Sequence, residues 1–117
     1  MILPSAGTRV YLATGGTDMR KAIDGLSMLV QGALELDPFS GHLFAFCNRR
    51  RNLVKVLYWD RNGFCLWMKR AERQKFRWPE TAAAVMELDF RQLRWVLEGL
   101  ELSKIRGHRQ LSYSTVL

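Results

Sequence analysis

LFAFCNRRRNLVKVLYWDRNGFCLWMKRAERQKFRW, residues 43–78, reads as three apolar runs with turn chemistry between them and a fourth short run after another polar break. Residues 43–47 and 53–59 flank Asn48-Arg49-Arg50-Arg51-Asn52; residues 53–59 and 64–68 flank Asp60-Arg61-Asn62-Gly63. An Asn-Gly step between β-branched and aromatic runs is the strongest short-range hairpin signal. The stretch therefore predicts an antiparallel β-meander of three to four strands.

Taking Arg61-Asn62-Gly63 as the loop, with Gly63 at positive φ, places Asp60 opposite Phe64. Trp59 then faces Cys65, Leu57 faces Trp67 and Lys55 faces Lys69. Side chains alternate along each strand, so two faces separate. One carries Val54, Val56, Tyr58, Phe64, Leu66 and Met68 and needs a cover. The other carries Lys55, Leu57, Trp59, Cys65, Trp67 and Lys69, with two like charges directly opposed, which is unfavourable without an anionic neighbour. A three-residue turn at Glu72-Arg73-Gln74 would add Lys75 and Arg77 to that face and Phe76 and Trp78 to the apolar one. A four-residue turn would reverse them.

Charge follows the same stretch. The chain of 117 residues carries a net +7, and residues 49–77 hold ten of its 18 Lys and Arg but only Asp60 and Glu72 among its acids. The remainder is slightly acidic. Such an asymmetry favours a polyanionic partner, most simply nucleic acid, because neutralised phosphates release counterions; a merely solvated basic surface is the plainer alternative. The candidate contacts are Arg49, Arg50, Arg51, Lys55, Arg61, Lys69, Arg70, Arg73, Lys75 and Arg77. Trp59 and Trp67 are either base-stacking platforms among these cations or core residues.

Outward from the meander, residues 10–13 are a strand candidate closed by Gly15-Gly16. Thr17 or Asp18 offers a cap oxygen for a helix over 18–36, whose stripe is Met19, Ala22, Ile23, Leu26, Leu29, Val30, Ala33 and Leu34. This helix is expected to cover the apolar face, with Gly25 marking a close approach to a neighbour. Residues 80–88 read equally as helix or short strand. Asp89-Phe90-Arg91-Gln92 fits a capping box for a helix near 90–98, with Gly99 as terminator. Residues 1–102 read as one α+β domain, and 103–117 as a mobile or partner-dependent tail.

Catalytic constellations are weak. Asp18, Asp24, Asp37, Asp60 and Asp89 each have a cap, turn or surface explanation. His42 and His108 with Cys47 and Cys65 show no zinc-finger spacing, so no metal or cofactor is expected. The two cysteines read as buried free thiols. Gly15-Gly16 lacks the lysine of a phosphate-binding loop. No stretch is long and apolar enough for a membrane span and no signal-peptide core is evident, so a cytoplasmic location is expected, without membrane or small-molecule partners.

VYLATGGTDMRKAIDGL (10–26), DPFSGHLFAF (37–46) and VKVLYWDRNGFCLWMKRAERQKFRWP (54–79) resemble the accessory TnpB, or Orf2, protein of the insertion sequence 66 family of bacterial transposons, which is distinct from the RNA-guided nuclease sharing the name. The resemblance implies a non-catalytic accessory role in transposition, beside a separate transposase and another accessory protein, in bacterial cytoplasm. It supplies no catalytic residues. Ala71 and Gln74 depart from the usual leucine and glycine. With the charge, the resemblance leads to a DNA-binding accessory factor acting at transposon ends; an adaptor contacting the transposase without DNA is the alternative.

Overall fold

The structure, a computed structural model, describes residues 5–102. The chain forms β1 (Val10–Gly16), α1 (Ile23–Gln31), β2 (Leu43–Cys47), β3 (Leu53–Asp60), β4 (Gly63–Arg70), β5 (Val85–Leu88) and α2 (Phe90–Leu97). The five strands make one sheet in the order β4-β3-β2-β1-β5. The fold is α+β, but the sheet is mixed: β1 and β2 are parallel, joined through α1, and the other three pairs are antiparallel. The strand that was ambiguous over 80–88 is β5, antiparallel to β1.

β2 lies in the middle and all five of its residues are buried, as its unalternating LFAFC requires of a strand covered on both sides. On one side Val54, Val56 and Tyr58 pack with Leu12, Ala45 and Cys47 beneath Leu93, Val96 and Leu97 of α2 and beneath Phe76 and Trp78. On the other, Ala13, Phe44, Phe46 and Leu57 pack beneath Leu26 and Val30 of α1.

This arrangement corrects the predicted register. Asp60 pairs with Gly63, Trp59 with Phe64 and Lys55 with Met68, so the loop is Arg61-Asn62 alone. The positive φ of 58° falls on Arg61, and Gly63 opens β4 instead of bending the chain. A slip of one residue carries every side chain of β4 to the other face. Phe64, Leu66 and Met68 therefore join Lys55 and Leu57, while Trp67 and Lys69 join Val54 and Val56. The expected Lys55–Lys69 pair does not exist. Nor is α1 on the face assigned to it: it covers Leu57, and α2 covers Val54 and Val56.

α1 is also shorter than the predicted 18–36. Its N-cap is Ala22 with no side-chain cap. Asp18 instead accepts hydrogen bonds from the Arg20 backbone and guanidinium, and the Thr17 backbone N–H donates to Cys47 at 2.8 Å. Gly25 packs against the Lys21 stem, a Cβ there standing 3.1 Å from it. After Gln31 the helix closes by bonds from Leu34 to Leu29 and Leu36 to Val30, with Glu35 at φ 55°.

Residues 71–84 form no strand, so the fourth meander strand is not found. Phe76 and Trp78 are nevertheless buried, and Trp78 Nε1 donates to the Ala13 carbonyl at 2.8 Å. α2 begins with the expected capping box, Asp89 accepting from the Gln92 N–H and Gln92 from the Asp89 N–H. Gly99, at φ 90°, ends it. The expectation of a mobile 103–117 tail lies outside the described residues.

Candidate nucleic-acid interface

Topology gathers three connections at one end of the sheet. β1 and β2 run parallel, so residues 17–22 and the tip 48–52 leave the same edge, and 71–84 returns from β4 to β5 there. The Phe76 N–H donates to the Arg51 carbonyl, and the Thr14 N–H donates to Ala84. Gly16 passes so close to the tip that a Cβ on it would stand 3.1 Å from the Arg49 Cα. Loops that approach this closely pool their charges.

These connections and the end of β4 carry Arg20, Lys21, Arg49, Arg50, Arg51, Arg70, Arg73, Lys75 and Arg77 against Asp18, Glu72 and Glu80. Each of the three carboxylates is already paired: Asp18 with Arg20 at 2.7 Å, Glu72 with Arg70 at 2.9 Å and Glu80 with Arg51 at 3.3 Å. The Arg20 hydrogen bonds hold the Asp18 carboxyl well below the usual carboxylate range, and the Glu72 bond raises Arg70. Arg77 pairs with Glu101 at 3.3 Å. Exposed Lys21, Arg49, Arg50, Arg73 and Lys75 have no ion pair among the described residues.

The twelve residues expected from sequence do not form one surface. Arg49, Arg50, Arg70, Arg73, Lys75 and Arg77 belong to the basic end and are exposed. Arg51 is there but half-buried at φ 62°, its guanidinium donating to the carbonyls of Thr14 and Gly15 and to Glu80. It is a strut between loops. Lys55 is buried, its Nζ donating to Met19 and Lys21 carbonyls, both at 2.9 Å. Lys69 is exposed on the opposite face and donates to the Leu97 carbonyl at 2.8 Å, a cation at a helix C-terminus. Arg61 sits at the far hairpin loop, about 25 Å away along the eight residues of β3. Trp59 packs edge-on against Phe39 and Phe64 with centroids 5.1 and 5.0 Å apart, and Trp67 packs beside the Val54–Val56 core. Both tryptophans are half-buried.

Arg20 and Lys21 were missed by a charge count confined to 49–77. Reading β1, α1 and β2 as a parallel crossover would have placed them beside the arginine tip. Burial raises the Cys47 thiol pKa, partly countered by Arg51. Neither cysteine forms a disulfide. Among the described residues no three His, Cys, Asp or Glu are placed to hold a metal ion, and no helix is long and apolar enough to cross a membrane. His42 Nδ1 accepts the Arg9 backbone N–H at 3.0 Å.

Fold and basic end define a small α+β module with a concentrated cationic surface. The chain belongs to the IS66 Orf2-like family, which matches residues 8–107. It is 40% identical over 101 residues to the uncharacterized protein y4hO of Sinorhizobium fredii (strain NBRC 101917 / NGR234), covering 86% of this chain and 88% of that one. It is 32% identical over 106 residues to the uncharacterized protein y4jC of the same strain, covering 91% of each. No solved structure matches significantly. Membership suggests an accessory role associated with transposition, in a family not known for catalysis.

Proposed function

We propose that this chain is a non-catalytic DNA-binding accessory factor for transposition of a bacterial insertion sequence, and that it meets the phosphate backbone with the basic end of its sheet. The observation that carries this reading is the charge balance there. Asp18, Glu72 and Glu80 are each paired, which leaves Lys21, Arg49, Arg50, Arg73 and Lys75, on adjoining loops, without an ion pair among the described residues. Cations gathered on adjoining loops repel one another, and an anionic strand relieves that repulsion while releasing its own counterions. Phosphate contacts from loop arginines and lysines position a protein without reading sequence. DNA at the transposon ends is the natural target given the family.

Anisotropy titration with an element-end duplex and a random duplex of equal length tests the proposal. Five phosphate contacts give log K falling with log salt at a slope of about −4.5. Salt-independent binding, or none, defeats it.

An adaptor contacting the transposase is the second reading. Phe39, 55% exposed and packed on Trp59 and Phe64 beside the far hairpin, favours it by offering apolar surface away from the basic end. Apolar contact would survive the salt that removes DNA.

A further inference from the structure

We infer that two copies of the chain pair through β4, antiparallel about a two-fold axis at Leu66, joining their sheets into one. Natural sheets guard their edges with short strands, charge, proline or bulges. β5, the other edge, is so guarded: four residues long, it carries Glu87, which reaches over to Arg9 at 3.3 Å. β4 is guarded only at its end, by Lys69 and Arg70. It runs eight residues in unbroken register with β3, and Phe64-Cys65-Leu66-Trp67-Met68 contains no charge or proline. All five are half-buried or exposed, and no described residue outside β3 makes a backbone hydrogen bond to Gly63–Arg70.

A second copy fits this edge because the strand is complementary to itself. Leu66 faces the partner's Leu66, Phe64 faces the partner's Met68 and Cys65 faces the partner's Trp67, so each face stays apolar across the junction. Met68, now 60% exposed, would be covered by the Phe39–Trp59–Phe64 aromatic group. Charge sets the direction. A parallel pairing brings Lys69 and Arg70 against their own copies. The antiparallel one puts Lys69 in the same lateral row as the partner's Gly63 and, about 10 Å away, the partner's Asp60. Gly63 has no side chain to intervene, and an ammonium engaged with Leu97 keeps two further N–H groups.

Sedimentation of the full chain across micromolar concentrations reads the association, and is expected to show a reversible dimer. Met68→Lys, at an exposed site, should weaken it at least tenfold with an unchanged far-UV spectrum. In a Cys65→Ser background, Leu66→Cys should form an intermolecular disulfide under mild oxidation, because residues on the axis meet their own copies within disulfide reach; Met68→Cys alone should not. A wild-type chain that sediments as a monomer overturns the proposal and leaves the edge to a strand of another protein. A dimer indifferent to Met68→Lys overturns it too, and preferential linkage through native Cys65 overturns this register.

Discussion

Lys55 and Lys69 lie on opposite faces of the sheet, and each ammonium is held by backbone carbonyls of a flanking element. Lys55 Nζ reaches Met19 and Lys21, both at 2.9 Å, on the approach to α1. Lys69 Nζ reaches Leu97, at 2.8 Å, at the exit of α2. The two lysines tie one helix to each side of β3 and β4, a structural use of charge within a segment where Arg49, Arg50, Arg73 and Lys75 have no ion pair among the described residues.

Replacing Lys55 with methionine keeps the stem and removes the ammonium, leaving two carbonyls without that donor. Charge-assisted bonds of this kind contribute about 1.5–3 kcal/mol, so Lys55→Met should lower unfolding stability by about that amount in urea while leaving DNA affinity unchanged. A parent-like midpoint would show that the two bonds contribute nothing.

Arg51 should separate from its neighbours in the same assay. Its guanidinium joins Thr14, Gly15 and Glu80, so Arg51→Ala should cost about 1–2 kcal/mol. Arg49→Ala and Arg50→Ala, made at exposed sites, should stay within about 0.5 kcal/mol. Three equal, small effects would contradict the strut assigned to Arg51.

What was legible in the sequence was the part governed by local rules. The Asn-Gly turn marked the β3–β4 hairpin and the Asp89-Gln92 spacing marked the α2 cap, whereas the apolar stripe pointed to a helix over 18–36 of which only Ile23–Gln31 is helical. The register was not legible, because Arg61 adopts the positive φ normally left to glycine, and one residue of slip then exchanged the faces of β4. Nor was the parallel β1–β2 pairing, which joins segments through a helix and brings Arg20 and Lys21 to the same end of the sheet as Arg49. Burial of Lys55 came from tertiary carbonyls that no sequence spacing announces.

Arg61 itself yields a test. A non-glycine residue at positive φ carries about 1 kcal/mol of steric cost, which glycine avoids while adding some unfolded-state entropy. Arg61→Gly should therefore hold or raise Tm by up to a few degrees. A clear fall would mean that the Arg61 side chain contributes stability beyond the turn.

Cys47 is fully buried and its thiol pKa is raised from 9.0, chiefly by burial. A raised acid pKa in the folded state gives a stability contribution intact below the unfolded value and lost as pH climbs from there toward the folded one. The fall in stability between pH 8 and 10 should therefore be shallower in Cys47→Ala than in the parent. Native-state alkylation should reach half-buried Cys65 first, and Cys47 only on unfolding. Equal rates would place Cys47 outside the core.

The central claim is that the free cations of one sheet end meet phosphate, and a comparison of two variants measures it most directly. Salt titrations of DNA binding are run on Arg49→Ala/Arg50→Ala and on Arg61→Ala, the latter changed at the far hairpin loop. The double variant should bind all duplexes more weakly with a salt slope shallower by about 2, and Arg61→Ala should match the parent. A double variant with parental affinity and slope, or the loss appearing in Arg61→Ala instead, would contradict the account.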